Sequence, residues 1–330
     1  MITMTEIAKL TGVSQPTVSR VLSGNQAVNP QIRERVLACA REHDFQPNRM
    51  AQSLVGSKTH LVGVLLTDIS NAFFADLVKY IEQEAEKEGY SLILFNSNYD
   101  LEHERECLDV VRRYRVDGLL AVPVSEGSRQ WKETVRRLDI PTVIITRQAA
   151  GMDCVYVDHV EAGSQVGRHL LEEGYDNFLF FGDPADVKYQ GFARALSKTG
   201  TGIRERMTVI AGKDSEVIDA ALSAHLERWG GRTGIFAYND RRAAQMLGIL
   251  QRRGIKIPER AGLVGFDNTY MCDYLWPALS SVSQPNEEMA AAAVKRLFYK
   301  MAHPEDRKTE EHPMLAELVP RQSSCRESIR

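Results

Sequence analysis

Four polar side chains along one short N-terminal segment carry groups that recognise nucleic acids. Gln15, Thr17, Ser19 and Arg20 offer an amide, two hydroxyls and a guanidinium, and no acidic residue stands among them. Such groups can hydrogen-bond to base edges and to phosphate oxygens in a major groove. The alternative interpretation is an ordinary solvated face of a helix pair, because helix–glycine–helix patterns are common in proteins.

The surrounding residues predict two short helices joined by a tight turn. Gly12 suits the turn because glycine tolerates positive φ, and Ser14 can cap a second helix whose first turn tolerates Pro16. The apolar residues expected to face inward are Ile7, Ala8 and Leu10, then Val13 between the helices, then Val18, Val21 and Leu22. The pair would therefore present its polar groups outward.

A third helix is predicted over residues 30–43, and Phe45 would close the small core that the three helices share. Its apolar stripe is formed by Ile32, Val36, Leu37 and Ala40. The following residues 47–58 predict one or two helical turns, which are too short to be stable alone. This segment is either a plain linker or a hinge helix whose apolar Leu54 enters a minor groove.

From His60 onward, apolar strands alternate with amphipathic helices in two successive halves. The predicted strands cover 61–66, 91–95, 117–122 and 142–145, and then 178–181, 207–210, 234–237 and 263–265. Unbroken apolar runs are typical of parallel strands covered on both faces. We therefore predict two doubly wound α/β lobes with a ligand crevice at the carboxyl ends of the strands. A helix over 286–301 and a strand over 314–318 would run back across the lobes.

The composition excludes several classes of protein. The 330 residues are 43% hydrophobic and contain no apolar run of membrane-spanning length, and the N-terminus does not resemble a secretory signal. Five cysteines at wide, irregular spacings indicate neither a disulfide framework nor a metal site. We expect a cytoplasmic protein that has no membrane partner, no metal and no cofactor.

The charge is unevenly distributed along the chain. Residues 1–58 contain seven basic and four acidic side chains, a net charge of +3, although the whole chain carries −3. The remaining residues therefore carry −6. A basic head on an acidic body is typical of a DNA-binding module joined to a sensing module.

Taken in order, these motifs resemble the LacI/GalR (lactose repressor) family of bacterial transcription regulators over essentially the whole chain. In the head the matching stretches are GVSxxTVSRVL at 12–22, Arg33–Val36 and PNRxAQxL at 47–54. In the body they are Asp68–Asn71 before Phe73 and Phe74, Arg115–Leu119, Asn239-Asp240, Gly265–Asn268, Pro277–Leu279 and Gln284-Pro285. The resemblance implies a homodimeric, ligand-controlled repressor that binds a pseudo-palindromic DNA operator and senses a carbohydrate-type molecule.

The resemblance also implies a division of the chain. Residues 1–46 would form a helix-turn-helix DNA-binding domain, 47–59 a hinge helix and linker, and 60–330 a two-lobed effector-binding and dimerisation domain like a periplasmic binding protein. Lobe 1 would comprise about 60–158 and 286–318, and lobe 2 about 159–285 with the C-terminal segment. The DNA contacts it implies are Thr5, Ser14, Gln15, Pro16, Thr17, Ser19, Arg20, Asn25, Asn48, Arg49, Gln52 and Leu54. Because Pro16 has no polar side chain, it can offer a base only an apolar contact, such as one to a thymine methyl.

The effector contacts implied by the resemblance suit a polyol. They are Asp68, Asn71, Phe73, Phe74, Arg147, Lys188, Asn239 and Asp267. Carboxylates and amides can bind vicinal hydroxyls, and an aromatic ring can cover an apolar sugar face. Four of them have alternative interpretations: Asp68 as a helix cap, Asp267 as a turn former, and Phe73 and Phe74 as core.

Three departures from the family pattern bear on the ligand. Lys188 stands where the family usually has an arginine, and lysine cannot form the planar two-pronged grip of arginine. The loop 182–187 is short, and 212–214 lacks the aromatic residue of many relatives. Lys213, Lys188 and Arg147 would together favour an anionic ligand such as a sugar phosphate or a sugar acid.

Two other classes of function compete with a regulator. An enzyme is disfavoured because the chain lacks a Gly-x-Ser-x-Gly elbow, a phosphate-binding loop and a His-Glu-x-x-His metal pair. A sugar-binding protein of a transport system would share the two-lobed body. The basic three-helix head and the missing signal peptide argue against that alternative.

Overall fold

The computed structural model describes residues 2–22, 27–45, 58–124, 129–197, 202, 204–212 and 214–325. The chain divides into two compact units, Met1–Thr59 and His60–Arg330. The predicted hinge helix over 47–59 falls almost wholly outside the described residues.

The described residues of the N-terminal unit form three helices, α1 (Met4–Thr11), α2 (Gln15–Leu22) and α3 (Pro30–Glu42). A capping box between Thr3 and Glu6 begins α1, and Gly12 ends it at φ +65°, as the predicted turn requires. The core of this unit consists of Ile7, Ala8, Val18, Val21, Val36 and Ala40.

The predicted inward faces need two corrections. Leu10 is 60% exposed, and Thr11 takes the inward position, donating from Oγ1 to the carbonyl of Ile7 at 2.6 Å. Residues 7, 8 and 11 share one face of a helix, whereas residue 10 lies beside it. Leu37 also lies at the edge of the stripe rather than within it, because it remains partly exposed.

The body contains two lobes built on largely parallel sheets, as predicted, and each sheet has six described strands. Lobe 1 has the strand order β11-β5-β4-β3-β1-β2, and all its pairings are parallel. Its strands are β1 (Leu61–Leu66), β2 (Ser91–Asn96), β3 (Gly118–Ala121), β4 (Thr142–Thr146), β5 (Asp153–Val157) and β11 (Glu311–Met314). Its helices are α4 (Ala72–Lys87), α5 (Leu101–Tyr114), α6 (Arg129–Leu138) and α12 (Asn286–Ala302).

Lobe 2 repeats this design in the order β12-β10-β9-β8-β6-β7; among its described strands the β10–β12 pair is antiparallel and the other pairs are parallel. Its strands are β6 (Asn177–Phe181), β7 (Met207–Ile210), β8 (Thr233–Ala237), β9 (Ala261–Asp267), β10 (Ser280–Ser283) and β12 (Glu317–Val319). Its helices are α7 (His159–Glu172), α8 (Val187–Ser197), α9 (Ser215–Arg228), α10 (Asp240–Arg252) and the short α11 (Met271–Tyr274), and a 3₁₀ turn covers Arg204–Arg206.

The chain passes between the lobes three times, and the last passage corrects the sequence prediction. A single strand over Met314–Leu318 is wrong, because β11 ends at Met314 in one sheet and β12 begins at Glu317 in the other. The short run Leu315-Ala316 makes this passage. The other passages follow β5 and β10, two strands that the sequence analysis missed.

Candidate functional site

The first candidate site is the polar face of α2 in the N-terminal unit. Ser14 precedes this helix, its Oγ lies 2.8 Å from Thr17 Oγ1, and its carbonyl accepts from the Val18 N–H at 3.1 Å. Gln15, Pro16 and Arg20 are exposed, while Thr17 and Ser19 are half-buried.

Several features suit this face to an anionic partner. No acidic residue lies in the first turn of α2, and Arg20 lies in its last turn. Thr5 is exposed in the first turn of α1, and Ser14 is exposed as well. The other expected DNA contacts, Asn25, Asn48, Arg49, Gln52 and Leu54, lie outside the described residues.

The second candidate site is a cavity between the two lobes of the body. It lies where strands of both sheets end, and seven of the eight residues expected to contact an effector line it: Asn71, Phe73, Phe74, Arg147, Lys188, Asn239 and Asp267. Nine further lining residues were not anticipated: Thr67, Tyr99, Val122, Thr146, His159, Asp186, Val187, Tyr238 and Gln284.

Most of the unanticipated residues carry a signal that sequence reasoning could have used. Thr67, Thr146 and Tyr238 each end a strand or directly follow one, and parallel strands meet a ligand at that end. His159 and Gln284 follow β5 and β10, so failure to predict those strands hid them.

Close helix packing positions Lys188 at the cavity. Helices α7 and α8 cross at Gly163 and Gly191, where an added Cβ would lie 2.1 Å from the Lys188 carbonyl oxygen and 1.8 Å from the Val160 carbonyl oxygen, respectively. Larger residues at either glycine would push the helices apart. The first turn of α8 is further fixed by the Lys188 N–H, which donates to Asp186 Oδ1 at 2.7 Å.

The Lys188 ammonium is held by the protein's own groups. Its Nζ donates to the Tyr238 carbonyl at 3.1 Å and lies 4.0 and 3.9 Å from the ring centroids of Tyr238 and Phe266. Only 6% of the residue is exposed, and burial lowers the pKa of the amine. Two aromatic faces and one carbonyl thus replace the hydration that the cation has lost.

Asp267 extends from lobe 2 toward lobe 1. Its φ of +104° is unusual for a residue with a side chain, and it bends the chain as β9 ends. Gln284 Nε2 donates to Asp267 Oδ1 at 2.8 Å, and the Asn71 amide donates to the same carboxylate from lobe 1. Burial raises the pKa of Asp267 to about 7, against the opposing effect of Lys188.

A second strained residue precedes Arg147. Thr146 ends β4 with φ +73°, an outlier for a β-branched residue. The Arg147 guanidinium hydrogen-bonds to the Tyr238 phenol, whose pKa burial raises to about 12. Burial, together with the nearby Lys188 and Arg147 charges, holds the pKa of His159 well below its usual value, so that imidazole is neutral at pH 7.

The remaining predicted residues have structural roles as well. Phe73 and Phe74 are buried with ring centroids 5.1 Å apart, so they belong to the lobe 1 core and also form the apolar wall of the cavity. Asn71 caps α4 by accepting from the Phe73 N–H at 3.2 Å, and Asn239 caps α10 by accepting from the Arg242 N–H at 3.0 Å.

Asp68 lies outside the set of cavity-lining residues. Its Oδ1 accepts from the Ser70 N–H at 2.9 Å, and its Oδ2 lies 3.2 Å from Arg241 Nη1 on lobe 2. Both carboxylate oxygens of Asp68, which was expected to contact the effector, thus have partners within the protein: one in a local turn and one in an ion pair.

The described part of the chain contains neither a metal-ligand cluster nor a helix able to span a membrane. No group of three or more histidine, cysteine or acidic side chains there is arranged to hold a metal ion. None of the helices described combines the length and hydrophobicity that a membrane crossing requires.

Comparison with known proteins matches both units. Residues 3–48 match the bacterial regulatory proteins of the lacI family, and residues 168–324 match the periplasmic binding protein-like domain. The HTH-type transcriptional regulator DegA of Bacillus subtilis (strain 168) is 30% identical over 298 residues, which cover 88% of each chain. The HTH-type transcriptional repressor PurR of Vibrio atlanticus is 28% identical over 327 residues, covering 96% of this chain and 98% of the relative.

Solved structures agree with this likeness. A LacI family transcriptional regulator from Silicibacter pomeroyi superimposes with a TM-score of 0.80 at 25% identity, covering 99% of this chain and all of the other. A LacI family transcriptional regulator from Enterococcus faecalis V583 with bound ribose superimposes with a TM-score of 0.69 at 30% identity, covering 80% of this chain and 98% of the other.

The raised pKa of Asp267 has a measurable consequence for stability. Between about pH 4 and pH 7 the Asp267 carboxyl stays protonated in the folded protein but loses its proton in the unfolded chain. The free energy of unfolding therefore falls as pH rises through this window. We expect Asp267→Asn to raise the unfolding free energy by about 1 kcal/mol or more at pH 8 and by much less at pH 5.

Urea denaturation at the two pH values measures this difference. Asp109→Asn, which removes an exposed carboxylate from α5, serves as the control and should have the same small effect at both pH values. Equal effects of Asp267→Asn at pH 5 and pH 8 would contradict the assignment.

Proposed function

Because this chain belongs to the LacI family of bacterial regulatory proteins, we propose that it represses a carbohydrate-utilisation operon under the control of a small polyhydroxylated effector. The family consists of DNA-binding transcription regulators and not of enzymes. The observation that carries the proposal is the pairing of an acid-free polar helix face with a polar cavity between two lobes. A transport-type sugar-binding protein would account for the cavity alone.

The proposed DNA contacts centre on α2. Gln15 and Arg20 expose an amide and a guanidinium, which pair best with adenine, guanine and phosphate. Thr17 and Ser19 offer hydroxyls, and Pro16 offers an apolar contact. In this proposal Asn48 and Arg49 contact the DNA backbone, and Leu54 enters the minor groove from a hinge helix.

A homodimer is proposed because two such heads would read the two halves of a pseudo-palindromic operator. Three large aromatic residues on lobe 2 support it: Tyr270, Tyr274 and Trp276 are 61%, 80% and 74% exposed. The Tyr270 and Tyr274 rings lie 6.0 Å apart in an edge-to-face arrangement. Clustered exposed aromatic side chains are typical of surfaces that bind another protein.

The cavity chemistry favours a neutral sugar as the effector. Asn71, Asn239 and Asp267 offer amides and a carboxylate for hydroxyl groups, and Phe73 and Phe74 offer an apolar wall. The similar Enterococcus faecalis regulator with bound ribose supports a ligand of the size of a single sugar. An anionic ligand is less favoured because the Lys188 ammonium is already held by Tyr238 and Phe266, and the Arg147 guanidinium hydrogen-bonds to Tyr238. Lys213, the third cation expected to favour an anion, lies outside the described residues.

The DNA-binding proposal is tested by Arg20→Ala. The operator is first selected from random duplexes with the purified protein and then titrated by fluorescence anisotropy. We expect the variant to bind that operator about 10- to 100-fold more weakly, with a salt dependence shallower by about one unit if Arg20 contacts phosphate. Arg41→Ala removes the same charge from α3 and should cause a smaller loss. Equal losses for the two variants would mean that α2 has no special role.

The dimer proposal is tested by Tyr274→Glu. Placing a charge in the aromatic cluster should weaken self-association by about 30-fold, the cost of losing one strong interface contact. Sedimentation velocity at micromolar concentration measures this, with Tyr114→Glu on the exposed surface of lobe 1 as the control. A wild-type protein that sediments as a monomer would refute the proposal directly.

The effector proposal is tested by a thermal-shift screen of neutral pentoses and hexoses beside their phosphates and acids. We expect a neutral sugar to raise the melting temperature and to change operator affinity, and Asp267→Leu to remove both effects. Preferential binding of an anionic member, abolished by Arg147→Gln, would instead support a sugar phosphate or sugar acid. A screen in which nothing binds would contradict the carbohydrate class altogether.

A further inference from the structure

A direct contact joins the two lobes at the rim of the cavity. Arg241 lies in the first turn of α10 on lobe 2, and its Nη1 lies 3.2 Å from Asp68 Oδ2 and donates to Ser70 Oγ, also at 3.2 Å. Both acceptors lie in the loop between β1 and α4 of lobe 1. One guanidinium therefore bridges two elements that belong to different sheets.

The lobe 1 side of this contact is preorganised. Asp68 Oδ1 accepts from the Ser70 N–H at 2.9 Å and from Ser70 Oγ at 2.6 Å. This local turn fixes the carboxylate, so its second oxygen is left to face Arg241. The Asp68 side chain is 22% exposed and that of Arg241 is 66% exposed, so the acid is the more buried partner of this ion pair.

Each side of the bridge is only two or three residues away from a cavity-lining cap. Asn71 caps α4 and donates to Asp267 across the cavity, and it follows Asp68 by three positions. Asn239 caps α10 and precedes Arg241 by two positions. A ligand that accepts from the side-chain NH2 of either asparagine leaves its cap intact, whereas a ligand that donates to Oδ1 competes with the backbone N–H that the cap holds.

We propose that Arg241 and the Asp68–Ser70 turn form a rim latch that holds the lobes together and couples their closure to occupancy of the cavity. With the latch engaged, the cavity is covered on the side where α4 and α10 begin. A ligand that leaves both asparagine caps intact strengthens closure, whereas one that displaces either cap releases the latch. The proposal rests on the proposed function only in taking this cavity as the effector site.

The first test measures the distance between the lobes and needs no ligand. Spin labels are attached through unnatural amino acids at Gln83 on α4 and Glu216 on α9, two exposed positions on different lobes. Pulsed electron resonance on the full-length protein then gives the distance distribution for wild type, Arg241→Met, Asp68→Asn and the double variant. Asp68→Asn removes the charge and retains an oxygen that can accept from Ser70.

We expect both single variants to raise the ratio of open to closed molecules about two- to fivefold, which is the range for losing an exposed ion pair. The double variant should raise it no further, because both substitutions remove the same interaction. Arg253→Met is the matched control: it breaks an arginine–aspartate pair with Asp219 that lies wholly within lobe 2, and it should leave the distances unchanged.

Distance distributions of Arg241→Met and Asp68→Asn that superimpose on the wild type would overturn the latch, as would a double variant whose effect equals the product of the two single effects. Circular dichroism and the melting temperature identify a variant that fails to fold, and the other single variant then carries the comparison. Repeating the measurement with saturating D-ribose tests the coupling, and an equal response of wild type and Arg241→Met would refute it. A screen in which no sugar binds would contradict the proposed effector and leave the ligand-free distances as an independent result.

Discussion

Three passages of the described chain between the lobes limit how the two lobes of the body can move relative to each other. They lie between β5 and α7, between β10 and α12, and between β11 and β12. The first and third are joined directly, because the Asp158 N–H donates to the Met314 carbonyl at 3.1 Å. Gln165 fixes the third by donating to the Ala316 carbonyl at 2.9 Å and accepting from the Leu318 N–H at 3.2 Å. Two lobes joined in this way can tilt about the passages but cannot separate.

The same passages form part of the cavity wall, so binding and lobe movement share residues. His159 and Gln284 lie on the first two passages and line the cavity. His159 packs against Phe266 with ring centroids 5.5 Å apart, and Gln284 donates to Asp267. A ligand in contact with these groups therefore contacts the passages about which the lobes tilt. Its binding free energy can therefore differ between two relative positions of the lobes, and such a difference is required for coupling to a distant site.

The charges buried at the cavity carry a cost that the fold tolerates. Lys188 and Asp267 are both nearly inaccessible to water, and burial moves the pKa of each toward its neutral form. The positive φ values of Thr146 and Asp267 add backbone strain at the same place. Strain and buried charge commonly cluster at functional sites, because a binding site requires polar groups that are not fully satisfied by the protein alone. The clustering here supports the cavity as the site of ligand control.

The sequence by itself determined the three-helix head and the two α/β lobes, because apolar periodicity, caps and glycine turns act over a few neighbouring positions. Its resemblance to a family, carried by motifs along the chain, implied seven of the residues that line the cavity. The sequence failed at Leu10, at the split strand after Met314 and at the strands before His159 and Gln284. Only the tertiary structure decided that Asp68 pairs with Arg241 across the rim, and that the Lys188 ammonium lies against Tyr238 and Phe266. These contacts join residues as many as 173 positions apart, and local patterns carry no information about which distant side chains the folded lobes bring together.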